Sequence, residues 1–525
     1  MYASRSAAPS QPVATTRIRI ANLVMSALLI GSIIFLLFYR LDYYPNPWYD
    51  EGAYMKVAKN YAYNGVYADY SSEGNRFFGP VISTGPTVIL PVSMMFSVFG
   101  PSVFAARTVP ALYAALMLLI LFFLARQLTG SRTAGILAVV LVFTAPGVDF
   151  QYYARIIIGE IAGISFLLGA LWFWLKPGKI PVQQLLIVGL LFGLACVTKT
   201  QFATFILPAL LLAWIVDLVW YKQRPWFYYV IPGITAGIIT FGWLFFAIAV
   251  LGGSDVIAEN WTAFRFASTN AFSLSFASMR RAMDFLTSHG VYGGLLLSGL
   301  LYTGLLALRR TTEGQLWGVF LLFLAGSGMM YLIAVPEWTR YALPALVLGT
   351  IPLLQLVVRL AANLPFQKLS LRGMLAGQEI QGVALLGILV SALVLSMIIA
   401  PLARMANNTL RHGEYEAAYN VAAYIRANIP PDALIETWEK ELSIITDHTF
   451  HYPPQLIELT MGDDMFREDT DHSKKTYDFR NYVTPDYVIA GPFSKWVNIY
   501  KPETLREQGY KLIYTYYLYD IYQRG

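Results

Sequence analysis

A chain of 525 residues that is 56% hydrophobic and only 13% charged is not a soluble domain of that size; it calls for repeated apolar runs of membrane-spanning length. Aromatic content of 15% suits long membrane–water interfaces, and a net charge of +6 is a basic excess that inward-facing loops supply without any nucleic-acid role. The single cysteine, Cys196, lies in an apolar run, which excludes an intrachain disulfide and a thiolate metal site.

Residues 1–16 are rich in Ser, Ala, Pro and Gln and are expected to form a disordered tail. The first apolar run, near Ile20 to Tyr39, follows Arg17 and Arg19 as a signal peptide would, but at about nineteen residues it is long for one and suits a retained span. No small-x-small cleavage site follows it, only Phe38-Tyr39-Arg40. An outer loop over 40–102 comes next. Tyr43-Tyr44-Pro45-Asn46-Pro47 cannot continue a helix. Glu51 to Tyr63 then read as a short amphipathic helix, with Tyr54, Val57, Ala58 and Tyr61 on one face and Asn64-Gly65 as its stop. The run Val81–Phe99 carries Gly85-Pro86 and Pro91 and is taken as a helix at or dipping into the interface.

Further spans are expected near 103–126, 133–148, 155–175, 183–198, 200–220, 227–250, 291–308, 315–335, 341–359 and 380–400. With the first, that makes about eleven crossings, each near the roughly twenty residues a bilayer requires. With the N-terminus inside, every inner turn carries a basic pair: Arg126 with Arg132, Lys176 with Lys179, Lys222 with Arg224, Arg309 with Arg310, and Lys368 with Arg372. The positive-inside rule therefore gives an N-in, C-out topology. The expected fold class is a polytopic α-helical membrane protein over 17–401, followed over 402–525 by a small extracytoplasmic α/β domain. In that domain Glu414–Asn428 and Pro502–Gln508 read as helices, and 432–437, Tyr487–Ala490 and Leu512–Tyr516 as strands.

The informative residues are those that break the topology's rules. Arg107, Arg155, Lys199 and Arg340 fall at the outer ends of spans, where insertion does not favour cations. Glu160 lies about one turn inside the span that starts at Arg155, and an ionisable group there is a functional candidate with a nearby partner expected. Arg155 is the obvious partner by sequence. Such cations suit a lipid phosphate, Lys as a point charge and Arg as a fork. Equally, they suit ordinary anionic lipid heads, with Glu160 merely paired to Arg155. Asp50 likewise has two readings: an N-cap of the helix that follows, with Glu51 favouring its dipole, or a catalytic carboxylate at the membrane surface. Asp447-His448-x-x-His451 has no third partner at metal-ligand spacing and reads as surface. Asn260-Trp261-Thr262 matches a glycosylation acceptor. No phosphate-cradling glycine loop, dinucleotide fingerprint or serine elbow is present.

Taken in order, these motifs resemble the GT-C fold glycosyltransferases, in particular the protein O-mannosyltransferases and the lipid A aminoarabinose transferases. The resemblance is carried by Trp48-Tyr49-Asp50-Glu51 after the first span and by Ser83-Thr84-Gly85-Pro86 leading through Phe99-Gly100 to Ala106-Arg107. It continues with Ala154-Arg155 and Glu160, where many members have Asp, then Thr198-Lys199 and Arg340-Tyr341-x-x-Pro344. It covers about residues 18–400 by pattern, and the ordered set carries it rather than any one motif. It implies an inverting glycosyltransferase of the cell envelope, mannosyltransferase-like, in a bacterial plasma membrane with an extracytoplasmic site. The donor would be a polyprenyl-phosphate sugar and the acceptor a hydroxyl on glycan, lipid or protein. By the same resemblance Asp50 would deprotonate the acceptor, Glu51 would orient it or Asp50, and Glu160 would help position acceptor or donor. Lys199 and Arg340, with Arg107, Arg155 and the neighbouring Tyr341, would bind the donor and its leaving phosphate. No cofactor is expected; a divalent metal, which some GT-C enzymes hold, is not favoured. The alternative class is a transporter or polymerase of lipid-linked saccharides, which would not need an acidic pair in the first outer loop. The aromatics Trp496, Tyr500, Tyr510, Tyr514, Tyr516 and Tyr517 suit either sugar stacking or strand packing.

Overall fold

The structure is a computed structural model; it describes residues 13–78, 82–145, 148–270, 272, 275–288, 290–334, 338–363, 399–411, 416–454, 457–458, 460–461 and 477–525. Fifteen helices, α1 to α15, precede residue 364 among the described residues. Helix α1 runs Val13–Phe38, so residues 13–16 open the first helix and residues 1–12 of the expected tail lie outside the described residues. After a loop, α2 spans Tyr49–Asn64 and ends at Gly65, whose φ of 70° lets the chain turn away. Of the face predicted to be apolar, Val57 and Ala58 are buried, together with Met55, against α3 (Pro86–Phe99), whereas Tyr54 is half-buried and Tyr61 is exposed. A hairpin of β1 (Ala68–Ser71) and β2 (Gly74–Phe78) separates these helices and has no clear signature in the sequence.

The bundle continues with α4 (Val103–Thr129), α5 (Arg132–Thr144), the short α6 (Phe150–Tyr153), α7 (Glu160–Trp174), α8 (Val182–Thr198), α9 (Ala203–Val216) and α10 (Phe227–Ala249). Then come α11 (Ile257–Asn270), α12 (Phe276–Ser288), α13 (Gly290–Ala307), α14 (Thr312–Ile333) and α15 (Thr339–Asn363). By length and composition, five of the described helices can cross a membrane: Val103–Thr129, Thr200–Tyr221, Phe227–Ala249, Thr312–Ile333 and Thr339–Leu360. Six shorter apolar helices accompany them, among them Pro86–Phe99. The last expected span, 380–400, lies outside the described residues except for its final two, which open a helical stretch over 399–410. One span starts later than expected. Residues 155–159 are irregular and the helix begins at Glu160, so this residue is the first of its helix and not one turn inside it.

Helices α4, α7, α8 and α10 pack side by side, and Trp174 fills the space between α7, α8 and α10, completely buried. Outward, α10 presents Ile238, Phe241 and Phe245, each more than 60% exposed. An apolar surface of that kind is stable in lipid and not in water. Asn260 is buried at the foot of α11, its amide donating to the carbonyls of Ile248 and Leu251, so the acceptor-like triplet presents no free amide.

Near the C-terminus the helix Ala417–Asn428 covers a five-stranded mixed sheet. Its strands are β3 (Leu434–Thr437), β4 (Thr449–His451), β5 (Tyr487–Ala490), β6 (Tyr510–Tyr516) and β7 (Tyr519–Arg524), in the order β4-β3-β5-β7-β6. The β3–β4 and β3–β5 pairs are parallel; β5–β7 and β6–β7 are antiparallel. His451 is not a surface residue. Strand β4 turns it inward, where it bonds Glu436 through Nδ1 and lies 3.2 Å from Glu73 through Nε2.

The sheet region is bolted to the first outer loop by a buried charge cluster. Asp69 of β1 lies 2.9 Å from Lys56 and 3.2 Å from Lys440, while Lys440 and Arg76 share Glu458 at 2.8 and 3.1 Å. Burial alone would raise the Asp69 carboxyl, but Lys440, Lys56 and Arg76 together overcome it and hold the group well below its ordinary 3.8. A carboxylate depressed in the fold stabilises it above the unfolded value and loses that contribution as pH falls. We expect the thermal midpoint of the wild type to fall on acidification below about pH 4, and Asp69→Asn to lower it at neutral pH and flatten that acid limb. A thermal-unfolding series from neutral to acid pH checks both; parallel acid limbs in the two proteins contradict the assignment.

Candidate active site

Trp48 has extended backbone at φ −133° and ψ 157°, and the helix starts at Tyr49. The first turn therefore holds both Asp50 and Glu51, and the N-cap reading of Asp50 gives way: no side chain caps this helix. Successive residues on a helix point about 100° apart, so the two carboxylates face different partners. Glu51 turns inward at 1% exposure and meets the fork of Arg107 on α4, itself fully buried. Arg107 also donates to the carbonyls of Leu41, Asp42 and Pro45 at 3.0, 3.3 and 2.7 Å. This arginine thus pins the segment leading into α2, with all its directions used.

Asp50 turns toward Arg340, and both acids border a cavity of about 400 Å³ lined also by Arg340, Tyr152, Tyr153, Trp338 and Trp496; Glu51 does so from the buried side. Asp50 Oδ2 accepts from Arg340 Nη1 at 2.7 Å. Arg340 is the second residue of α15; its guanidinium lies 3.8 Å over the Trp338 ring and 5.6 Å from that of Tyr341. The Nε of Arg340 is 3.7 Å from Glu160 Oε1, the same oxygen that accepts from Lys199 Nζ at 2.6 Å. Asp50, Arg340, Glu160 and Lys199 form one continuous chain of two anions and two cations, whose first link joins residues 290 positions apart. Glu160 Oε2 has no partner among the described residues although it is buried. Tyr54, one turn along α2, has its phenol raised by burial and then by the Asp50 charge; it stays protonated and bonds Ser83.

The chain is positioned by three breaks in helical structure that meet. Lys199, extended at φ −156°, separates α8 from α9 and pairs with Thr84 as an isolated antiparallel bridge. Gly85 N donates to Thr198 O at 2.8 Å, and a Cβ on Gly85 would stand 1.8 Å from the Val197 carbonyl, so only glycine admits this approach. Ile158 O accepts from both Thr84 Oγ1 at 3.0 Å and Lys199 Nζ at 2.7 Å. Thr84-Gly85-Pro86 thus holds the extended backbone at Lys199 in place. Non-helical backbone at this depth survives because each break supplies hydrogen-bond partners for another.

Arg155 is not the partner of Glu160. It is buried and donates to the carbonyls of Leu36 and Tyr39 at 3.1 and 2.7 Å, clasping the end of α1. The real partner, Lys199, is 39 residues away and brought there by the packing of α7 on α8. Of the residues singled out in the sequence, the structure gathers Asp50, Glu160, Lys199, Arg340 and Tyr341; it sets Glu51 with Arg107 beside them and Arg155 apart. Sequence reasoning passed over Tyr152, Tyr153, Trp338 and Phe493. Tyr153 bonds Thr339 at the start of α15, and nothing in its spacing signals that contact. Among the aromatics of the C-terminal region, Trp496 reaches the cavity, whereas Tyr500 and Tyr510 are buried in the sheet region's core.

Residues 83–248 match the family of dolichyl-phosphate-mannose-protein mannosyltransferases. No curated protein matches the chain at the level of sequence. Among solved structures, ArnT from Cupriavidus metallidurans in the apo state is similar with a TM-score of 0.60 and 14% identity, over 97% of this chain and 98% of that one. The same enzyme bound to undecaprenyl phosphate is similar at 0.60 and 14%, over 95% and 97% of the two chains. The archaeal oligosaccharyltransferase AglB from Archaeoglobus fulgidus, in complex with an inhibitory peptide and a dolichol-phosphate, is similar at 0.57 and 13%, over 95% and 74%. At such identities the likeness is one of fold, and the fold is that of the GT-C glycosyltransferases.

Proposed function

With the GT-C fold as premise, we propose that this protein is a multi-pass membrane glycosyltransferase. It moves a sugar from a polyprenyl-phosphate donor to an acceptor hydroxyl, with inversion, at the outer face of a bacterial plasma membrane. The observation that carries the reading is the Asp50–Arg340 contact of 2.7 Å continuing to Glu160 and Lys199. It joins a carboxylate facing the cavity to two cations suited to a phosphate. Orientation rests on the basic residues at helix ends: Arg126 in the last turn of α4, and Lys176, Lys179, Lys222 and Arg224 in the turns that follow or precede helices at the ends remote from Glu160 and Lys199. Arg224 bonds the carbonyl of Lys176, which brings two of these turns together. We take 17–401 as the membrane part and 402–525 as extracytoplasmic.

The chemistry is a single displacement. Asp50 accepts the proton of the acceptor hydroxyl as that oxygen attacks the anomeric carbon, and the bond to the donor phosphate oxygen breaks on the opposite face. Charge balances within the cluster: Asp50 becomes neutral as the phosphate gains one negative charge. Arg340, which pairs with Asp50 in the free site, passes to the phosphate as this happens, joined by Lys199. Glu160 holds Lys199 in place, and Glu51 with Arg107 sets the angle of the α2 start. Because Asp50, Glu51 and Glu160 each face a cation already, we assign no divalent metal to the reaction. In nanodiscs supplied with a panel of polyprenyl-phosphate sugars together with glycan, lipid and peptide acceptors that carry free hydroxyls, we expect release of polyprenyl phosphate with an inverted glycosidic product, unaffected by EDTA. A retained configuration, or turnover of no donor in the panel, counts against the proposal, and loss of activity on chelation counts against its metal-free form.

A further inference from the structure

We propose that the exposed ring of Trp496, braced by Trp48 and the buried Phe493, is a stacking platform for a pyranose ring, so that the acceptor is a saccharide. The inference rests on the transferase reading above and goes beyond it by naming the acceptor class. Trp496 is carried on the short helix Pro492–Val497 and stays 51% exposed while lining the cavity shared by Asp50 and Arg340. Its neighbours fix its place: the Phe493 ring is 5.8 Å away and the Trp48 ring 6.4 Å. Trp48 meets Phe493 edge to face at 5.6 Å, and Tyr49 stacks on Phe493 at 3.7 Å with the rings 2° from parallel.

The base of this box is rigid. The buried Glu439 carboxylate accepts from the backbone N–H groups of Gly491, Phe493 and Ser494 at 3.1, 3.3 and 2.8 Å, and from the Ser494 hydroxyl at 2.8 Å. Beneath it, Gly52 of α2 lies so close to the chain at Lys440–Glu441 that a Cβ would stand 2.3 Å from Glu441 N. The sheet region and the start of α2 are therefore one unit, and the aromatic wall keeps a fixed relation to Asp50. A preorganised wall of this kind binds without paying to order its side chains.

The geometry selects the ligand class. An apolar aromatic face beside a few convergent polar groups, here Asp50, Arg340 and Thr339, matches a pyranose, which has a C–H face and a rim of hydroxyls. It also selects the side of the reaction. A base must stand within about 3 Å of the hydroxyl it deprotonates, and Trp48 is two residues before Asp50 on the same segment. Of the phosphate cations, Lys199 is not among the residues lining this cavity and pairs with Glu160, while Arg340 stands between Asp50 and Glu160. The ring on the platform is thus the one that bears the attacking hydroxyl.

The test uses the full-length protein in nanodiscs and neutral oligosaccharides of two to four pyranose units, with glucose-, mannose-, galactose- and N-acetylglucosamine-based series. Binding is read by tryptophan fluorescence and saturation-transfer NMR at millimolar ligand, alongside binding of undecaprenyl phosphate. At least one series is expected to bind; Trp496→Ala weakens it by at least about tenfold, and Trp496→Phe, which keeps an aromatic face, by no more than about threefold. Undecaprenyl phosphate binds all three proteins alike. The proposal is overturned if no series binds the wild type, if Trp496→Ala binds saccharide as the wild type does, or if a serine-containing peptide binds in place of any saccharide. Failure of undecaprenyl phosphate to bind the wild type sinks the donor reading instead, whatever the saccharide result.

Discussion

Asp50→Asn is expected to lower kcat by about 10²- to 10⁴-fold, the range a positioned general base supplies, while leaving the thermal midpoint close to wild type. The fold has little to lose at this position. Asp50 is 20% exposed at the cavity wall, makes no cap for α2, and pairs with Arg340, whose stacking on Trp338 and neighbourhood to Glu160 remain. Asparagine keeps the shape and one acceptor oxygen but cannot take a proton from an alcohol. A KM for acceptor that barely moves beside a collapsed kcat is the signature of a lost base. Retained turnover would place the proton elsewhere and leave Asp50 as an electrostatic partner of Arg340.

Its neighbour Glu51 should behave in the opposite way. Glu51→Ala leaves the guanidinium of Arg107, 0% exposed, without its counter-charge in a site shut off from water. Removing one partner of such a pair costs about 3–5 kcal/mol, a large share of the stability of any domain. Three backbone carbonyls still accept from Arg107 Nη1, which limits the damage but does not cancel the charge. We therefore expect a sharply lowered thermal midpoint in detergent, and activity lost with folding. The double substitution Glu51→Leu with Arg107→Met replaces both ions by apolar side chains of similar reach and should recover most of the stability. It should not recover the activity, because the segment from Leu41 to Pro45 loses the fork that sets the approach of α2. A stable but inactive Glu51→Ala would assign Glu51 to the reacting atoms instead of to their support.

The contrast between these two adjacent acids shows what was legible in the chain. Helix α2 could be read because its apolar positions recur at helical spacing and Asn64-Gly65 end it. The ordered motifs from Trp48 to Pro344 carried the fold resemblance. What could not be read was direction. Which partner Asp50 and Glu51 each face depends on where the helix starts; it starts two residues before the expected Glu51, and each residue of displacement turns a side chain by about 100°. The partner of Glu160 was misassigned to Arg155 for a related reason: nearness in sequence favoured residue 155, whereas the helix does not begin until 160 and α8 delivers Lys199 instead. In the sheet region, Tyr487–Ala490 was recognisable as an apolar run, but β7 was not. The turn that joins it to β6 is made by Tyr517 at φ 50° and Leu518, with no glycine or asparagine to announce a hairpin. Strand β4 is only three residues long, and its burial of His451 against Glu436 follows from pairing with β3, which no local pattern encodes.

The central claim is that one cluster holds both the acceptor-activating carboxylate and the phosphate-binding cations, with Arg340 shared between them. Equilibrium binding of undecaprenyl phosphate to the protein in nanodiscs tests it directly, without knowledge of the sugar. Arg340→Ala and Lys199→Ala should each weaken binding by about tenfold or more, whereas Asp50→Asn should tighten it, because Arg340 is released from its 2.7 Å contact. If Asp50→Asn leaves the affinity unchanged or lowers it, or if Arg340→Ala binds as the wild type does, the shared-cation account is wrong.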